Sequence, residues 1–171
     1  GCKIGANAIR LHDEVVMMVA KLFRALRVDA IVEPTRLFTD AVEDAGDQRP
    51  DVFLRSPRGL GRQIIIDVAV TGVDGQSRTS DEAAERPLQV RYDQKMTKYS
   101  HVAEQNNLRF IPAVFSHTGQ IHAEFKAKTS KIRAGMEWWS RCISMAIAKA
   151  ASRNVTFKVA KMREVVFMGC Y

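Results

Sequence analysis

The sequence predicts a single α/β domain, in which a small mixed sheet is flanked by helices and followed by C-terminal helices. The chain has 171 residues, which is enough for one domain with a substantial core. Helix-type and strand-type apolar periodicities alternate in the order helix, strand, strand, strand, helix, strand and then helices. No internal repeat or low-complexity tract divides the chain, so residues 1–171 are interpreted as one unit.

The first helix is predicted from Leu11 to Val28, because its apolar residues recur at spacings of four, three and four. These positions, which share one face, are Val15, Val19, Leu22 and Leu26. His12 is interpreted as a helix-start or packing residue. A short strand follows at residues 29–34, where Pro34 favours extended geometry for Glu33. Residues 39–48 are acidic, contain a glycine and are expected to form a loop.

The second and third strands form the centre of the predicted sheet. Val52 to Leu54 is a short apolar strand, and residues 56–61 have the proline and glycine content of a hairpin turn. Arg62 to Thr71 is the most apolar strand, and we expect it to be buried on both faces.

The remaining elements complete the α/β order. Residues 72–87 are rich in Gly, Ser, Asp and Glu and are expected to form a loop with at most a short helical turn. A helix from Leu88 to Asn106 and a strand from Phe110 to Ser116 follow, and Pro112 predicts a sheet edge or a bulge. From Ala123 onward the pattern is helical. Residues 154–167 fit both periods, and a helix is preferred there.

Composition favours a polyanionic partner. The net charge is +7, and nucleic acid is the commonest polyanion for an intracellular domain. No apolar run is long enough to cross a membrane, and the first residues lack the pattern of a signal peptide. The three cysteines are an odd number without CxxC spacing, which argues for a reducing compartment and against a disulfide framework or a closed zinc site.

An acidic pair on the second and third strands is the strongest functional signal. Asp67 stands between three isoleucines and Val-Ala-Val, and burial of an unpaired charge costs several kcal/mol. Asp51 lies on the preceding strand, and the 15 residues between the two aspartates allow a hairpin that brings their carboxylates together. A divalent metal shared by both would compensate the charge. The alternative is that each aspartate is a hydrogen-bonded residue at a strand end.

Two lysines on the following helix could act on a phosphate beside the acidic pair. Lys95 and Lys98 share a predicted helix face with Val102. A lysine directed toward the acids would neutralise phosphate charge and orient an attacking water, whereas the alternative is a solvated basic face.

Other basic and aromatic residues are weaker candidates. The turn between the acidic strands holds residues suited to phosphate contact, namely Arg55, Arg58 and Arg62. A later run could track a nucleic-acid backbone or form an ordinary solvated face, and it includes Lys126, Lys128 and Lys131. Trp138 and Trp139 could stack on bases or belong to the core. His117 and His122 lack a third zinc ligand at suitable spacing and are expected to be surface or core histidines.

Taken together, these residues resemble the PD-(D/E)xK, or restriction-endonuclease-like, nuclease superfamily. The closer resemblance is to its branch of endonuclease domains that accompany the reverse transcriptase of non-LTR retrotransposons. It lies in the order and spacing of short blocks across residues 10–120. The blocks are Arg10-Leu11-His12-Asp13, Glu33-Pro34, Arg49-Pro50-Asp51, Asp67-Val68-Ala69-Val70-Thr71, Lys95-Met96-Thr97-Lys98-Tyr99, Phe110-Ile111-Pro112 and Thr118-Gly119.

The resemblance implies an αβββαβ core and a metal-dependent endonuclease that hydrolyses phosphodiester bonds in DNA. In the superfamily pattern a lysine stands two residues after the second acid, where this chain has Ala69. In the retrotransposon branch the lysine has moved to the following helix, and Lys95 or Lys98 matches that relocation. We favour Lys95.

The resemblance also implies a ligand set and a cellular setting. Mg2+ or Mn2+ would be held by Asp51, Asp67 and the carbonyl of Val68. Glu33 is either a third catalytic carboxylate, since it also ends a strand of the sheet, or an exposed strand-end acid.

DNA is the expected partner. The expected location is the nucleus, either of the protein's own cell or of a host cell. A membrane is not expected, and a homodimer is left open. The rival functions are a host-directed nuclease effector toxin and a catalytically silent nucleic-acid-binding module.

Overall fold

A computed structural model describes the greater part of the chain: residues 4–34, 37, 49–55, 61–71 and 81–130, together with 141, 142, 144, 145, 147 and 149. The described elements are α1 (Ile4–Ala25), β1 (Asp29–Val32), β2 (Val52–Arg55), β3 (Ile64–Thr71), α2 (Asp81–Gln105), β4 (Arg109–Ser116) and α3 (Ala123–Ser130). The described part is therefore a mixed α/β structure of four strands and three helices, in the predicted order. Within it, no helix has the length and apolarity needed to cross a bilayer.

The sheet is mixed, as predicted. Its strands lie in the order β1-β2-β3-β4, with antiparallel β1/β2 and β2/β3 pairs and a parallel β3/β4 pair. A parallel pair requires a crossover connection, and α2 provides it. Among the described strands, Pro112 lies on β4 at one end of the order, which agrees with the predicted edge position.

Helices cover both faces of β3, and this arrangement sets where each of its side chains lies. Side chains alternate along a strand. Ile64, Ile66 and Val68 belong to the core that includes the buried face of α1. Ile65, in contrast, packs with Tyr99 of α2. Asp67 stands two residues after Ile65 on the same strand. Its side chain therefore lies on the same face as Ile65, toward α2.

Both long helices end in the same motif and lead directly into a strand. After α1, Arg27 has a φ of 58°, and the Val28 amide donates to the Phe23 carbonyl at 3.0 Å. After α2, Asn107 has a φ of 54°, and the Leu108 amide donates to the Ala103 carbonyl at 2.8 Å. These are Schellman caps with a non-glycine residue in the left-handed conformation. They fix the direction in which β1 and β4 enter the sheet.

Two helix starts differ from the sequence prediction. α1 begins at Ile4 and not at Leu11, and α2 begins at Asp81 and not at Leu88. The prediction assigned residues 72–87 to a loop, yet residues 81–87, including Pro87, lie inside the helix. The preceding residues are mostly alanine and glutamate, which favour a helix, and this outweighs the one hydrogen bond that proline removes.

The C-terminal part of the chain is described only in places. The described positions between 141 and 149 are helical, in agreement with the expectation of C-terminal helices. Ser144 donates from Oγ to the carbonyl of Gly119 at 2.5 Å, which joins this segment to the turn after β4. The region at 154–167, for which a helix was preferred, lies outside the described residues, as do Trp138 and Trp139.

Candidate functional site

The sheet register brings Asp51 and Asp67 to the same place. β2 and β3 pair Val52 with Ile66, and continuing this antiparallel register by one residue sets Asp51 opposite Asp67. Asp51 lies in a bend just before β2, so the register brings its backbone near Asp67 without fixing the direction of its side chain. The two carboxylates are close enough for the charge of Asp51 to raise the pKa of Asp67.

Asp67 is a buried carboxylate whose main contact is with a lysine. It lies in the middle of an apolar strand, and only 3% of the residue is exposed. Its Oδ2 atom forms an ion pair with Nζ of Lys95 but has no hydrogen bond of ordinary geometry within the described residues. Burial raises the pKa of Asp67, and the attraction of Lys95, which acts in the opposite direction, does not fully offset it.

The structure distinguishes between the two candidate lysines. The Lys95 side chain is 16% exposed and reaches Asp67 from the sheet-facing side of α2. Lys98 is exposed, and its Nζ lies 5.0 Å from the centroid of the Tyr99 ring. Lys95 and not Lys98 therefore lies beside the acidic pair.

Tyr99 borders the acidic pair on the same face of α2. Its ring is buried against Phe110, with 5.0 Å between the centroids, and its hydroxyl donates to the Arg49 carbonyl at 3.4 Å. Burial, together with the nearby charge of Asp67, raises the pKa of Tyr99 well above its ordinary value. The hydroxyl therefore stays protonated and remains a hydrogen-bond donor beside the carboxylates. Its spacing of four residues from Lys95 was the sequence signal that could have identified it.

Asp51 is held by donors from two other elements. Its Oδ2 accepts a hydrogen bond from the Val68 amide at 2.6 Å, and Nε2 of His12 lies 3.3 Å from the same oxygen. The hydrogen bond and the charge of Asp51 raise the pKa of His12 to about 9 against the effect of burial. His12 lies well inside α1, so the interpretation as a helix-start residue was wrong. No local pattern reveals this contact, because it joins α1 to the start of β2.

Glu33 contacts Asp51 through its backbone and not through its carboxylate. The Glu33 amide donates to the Asp51 carbonyl at 2.8 Å, and Glu33 has a φ of 48°. Glu33 is exposed, and within the described part of the chain its carboxylate contacts neither Asp51 nor Asp67. The geometry therefore fits the alternative of an exposed strand-end acid better than that of a third catalytic carboxylate.

The donors at this site suit a hard divalent cation that keeps water ligands. Among the described residues, no group of three or more His, Cys, Asp or Glu side chains is arranged to hold a metal ion. Two carboxylates and the Val68 carbonyl are nevertheless oxygen donors, and Mg2+ is usually bound by one or two carboxylates with waters and substrate phosphates.

The predicted phosphate-contacting residues are dispersed. Arg55 is exposed and lies 3.8 Å from Asp29. Arg62 lines a cleft of about 430 Å³ together with Arg109 on the α2 side of the sheet. Lys126 is exposed on α3. Arg58 and Lys131 lie outside the described residues.

Lys128 belongs to a second polar cluster, one helical turn along α2 from Lys95. Its Nζ donates to the Tyr92 hydroxyl at 2.9 Å and lies 3.6 Å from Glu124. His122 stacks on Tyr92 with 4.3 Å between the ring centroids, and burial lowers the pKa of His122. His122 is thus a packed core histidine, one of the two roles expected for it.

No known protein-family profile matches the chain, and a search of curated proteins finds no match.

Proposed function

We propose that this chain is a metal-dependent DNA endonuclease with a restriction-endonuclease-like core. The observation that carries the proposal is the juxtaposition of Asp51, Asp67 and Lys95 at the junction of β2 and β3. The αβββαβ order of elements supports it. The positive net charge of +7 suits a polyanionic substrate.

Phosphodiester hydrolysis requires a nucleophilic water and neutralisation of a highly charged transition state. Asp51, Asp67 and the Val68 carbonyl would hold Mg2+ or Mn2+, which lowers the pKa of a bound water and polarises the phosphate. Lys95 stabilises negative charge that develops on the phosphate, an effect worth roughly 3 kcal/mol by analogy with single electrostatic groups in other enzymes. Tyr99 remains protonated at neutral pH and is a hydrogen-bond donor at the same site.

A specific contact favours a second candidate, a catalytically silent nucleic-acid-binding module. Asp67 and Lys95 neutralise one another without a metal ion. In a silent module this ion pair would be a purely structural feature. The two candidates differ in whether removal of Asp67 eliminates a measurable activity.

The biological setting is also a proposal. A DNA endonuclease acts in the compartment that contains its substrate, and we place this one in the nucleus of its own cell or, as an effector toxin, of a host. The one acidic pair found in the described part of the chain fits nicking of one strand. Cleavage of both strands at one site would require a second copy, so the stoichiometry on DNA bears on the homodimer left open above.

A plasmid-nicking assay tests the proposal. The wild-type chain should convert supercoiled plasmid to the nicked form with Mn2+ or Mg2+ and not with excess chelator. Asp67→Ala should lose nicking and keep DNA binding. Asp93→Ala is a matched control, because Asp93 is an exposed carboxylate on α2 away from the acidic pair. Equal nicking by wild type and Asp67→Ala, or no metal-dependent nicking by the wild type, would contradict the proposal.

A further inference from the structure

His12 approaches the acidic pair from the side of the sheet opposite Lys95. It lies on α1, whose buried face packs with Ile66 and Val68, whereas Lys95 lies on α2. The His12 side chain is 34% exposed, and its Nε2 is 3.3 Å from Oδ2 of Asp51. The two ends of the candidate site are thus contacted by different helices.

One carboxylate oxygen of Asp51 is fully engaged by the protein. Oδ2 receives the Val68 amide at 2.6 Å and faces Nε2 of His12 at 3.3 Å. Asp51 itself is in a bend just before β2, so the strand ladder does not fix its side chain. Two donors from separate elements restrict the carboxylate plane in a way that one donor does not. Within the described residues no contact of Oδ1 is seen, so Oδ1 is the oxygen available to bind an ion.

We propose that His12 is a positioning residue, which orients the Asp51 carboxylate so that Oδ1 faces the side of Asp67 and Lys95. The inference rests on the proposed function, since it concerns the ligand geometry of that same site. Hydrogen-bonding partners of metal ligands commonly contribute 10–100-fold to metal affinity or activity. His12 would act in this way through Asp51, without contact to the ion or the phosphate.

The neighbouring Asp13 supports this orientation of the imidazole. Nδ1 of His12 lies 3.3 Å from Oδ1 of Asp13, on the opposite side of the ring from Asp51. A ring between two acceptors presents one nitrogen to each of them, which favours an Nε2–H directed at Asp51. The helix backbone and Asp13 together hold the donor in place.

Three variants separate a hydrogen-bonding role from other roles. His12→Ala removes the donor. His12→Gln keeps an N–H at nearly the position of Nε2, and it carries no imidazole. His101→Ala is the matched control, because His101 is an exposed histidine on α2 that contacts Gln105. Alanine is the best helix former, so His12→Ala is expected to fold, and thermal melting checks this.

The first measurement is Mn2+ binding without DNA, by titration calorimetry and by the electron paramagnetic resonance signal of free Mn2+. His12→Ala should bind Mn2+ roughly 10-fold or more weakly than the wild type. His12→Gln should stay close to the wild type, and His101→Ala should be unchanged. In plasmid nicking, the Mn2+ concentration for half-maximal rate should rise in His12→Ala, and saturating Mn2+ should recover much of the rate.

Two outcomes of these measurements would overturn the inference. Wild-type Mn2+ affinity in a folded His12→Ala would show that the Val68 amide alone orients Asp51. Equal losses of Mn2+ affinity in His12→Gln and His12→Ala would show that the ring does not act as a hydrogen-bond donor.

If His12→Ala fails to melt cooperatively, His12→Asn replaces it, because the asparagine side chain is too short to reach Asp51. A wild type that neither binds Mn2+ nor nicks DNA would refute the proposed function itself, whereas a metal-binding, nicking wild type with an unaffected His12→Ala refutes this inference alone.

Discussion

The two aspartates of the candidate site are held in opposite ways. Asp67 lies inside β3, is 3% exposed and depends on the ammonium group of Lys95. Asp51 lies before β2, where its side chain is 16% exposed, and it is held by the Val68 amide and by His12. The Asp67 carboxylate is buried with a raised pKa, and the Asp51 carboxylate is held by one hydrogen bond and one ion pair.

The difference teaches which part of the site is destabilising. Burial raises the pKa of Asp67 even with Lys95 in contact, so the charged carboxylate is less stable in the folded chain than in water. A residue that weakens the fold yet fills a central position is typical of a functional site. Asp51 carries no comparable burial, and its contacts suit a residue whose direction matters more than its charge balance.

The largest expected effect is the loss of cleavage when either carboxylate is neutralised. Asp51→Asn and Asp67→Asn should each slow nicking by at least about 100-fold, since each removes a charged ligand from the reacting centre. Single-turnover nicking at saturating Mn2+ measures this. Full activity in either variant would remove that aspartate from the site.

The second effect distinguishes Lys95 from Lys98. Lys95→Met should slow nicking by roughly 100-fold. It should also lower the melting temperature, because removal of one partner from a buried ion pair costs roughly 3 kcal/mol. Lys98→Met should change the rate little and lose only an exposed cation–π contact, worth about 0.5 kcal/mol. If Lys98→Met has the larger effect on rate, then Lys98 is the residue that acts on the phosphate.

The third effect is the pH dependence of stability in chelator-treated protein. The folded-state pKa of Asp67 lies above its ordinary value of 3.8, so its stabilising contribution is complete below pH 3.8 and is lost as pH rises through the folded-state pKa. Asp67→Asn should therefore be more stable than the wild type at pH 7 and equal to it near pH 3. Denaturant unfolding across this range checks the sign. A wild type that is more stable than Asp67→Asn at pH 7 would show that Lys95 outweighs burial.

Much of this arrangement was predictable from local sequence patterns. The order of strands and helices followed from apolar periodicity, and Asp67 was conspicuous because a charge interrupts an apolar strand. The preference for Lys95 over Lys98 could also be derived from the sequence. The buried residues of α2 recur at Leu88, Tyr92 and Tyr99, and Lys95 continues that stripe whereas Lys98 does not.

The parts that escaped prediction depend on tertiary contacts or on competing local preferences. The contact of His12 with Asp51 joins residues far apart in sequence, and only the packing of α1 on the sheet determines it. The start of α2 was misjudged because the Gly, Ser, Asp and Glu content of residues 72–87 was treated as one loop, although helix-favouring residues begin at Asp81. For Glu33, the left-handed backbone that directs its amide to Asp51 was not visible in the sequence.

The smallest expected effect concerns two of the arginines that were predicted to contact phosphate, Arg62 and Arg55. Arg62 lines the cleft on the α2 side without an ion pair in the described residues, whereas Arg55 lies near Asp29. In an Asp67→Asn background, which prevents cleavage, Arg62→Ala should lower the slope of log affinity against log salt by about 0.9, the value of one phosphate contact. Arg55→Ala should leave the slope unchanged, because its charge is already partly neutralised. Fluorescence anisotropy over a salt series measures both. A flat salt response in the parent would show that phosphate contacts do not hold the DNA, and a larger change from Arg55→Ala would place the DNA nearer Arg55 than the cleft at Arg62.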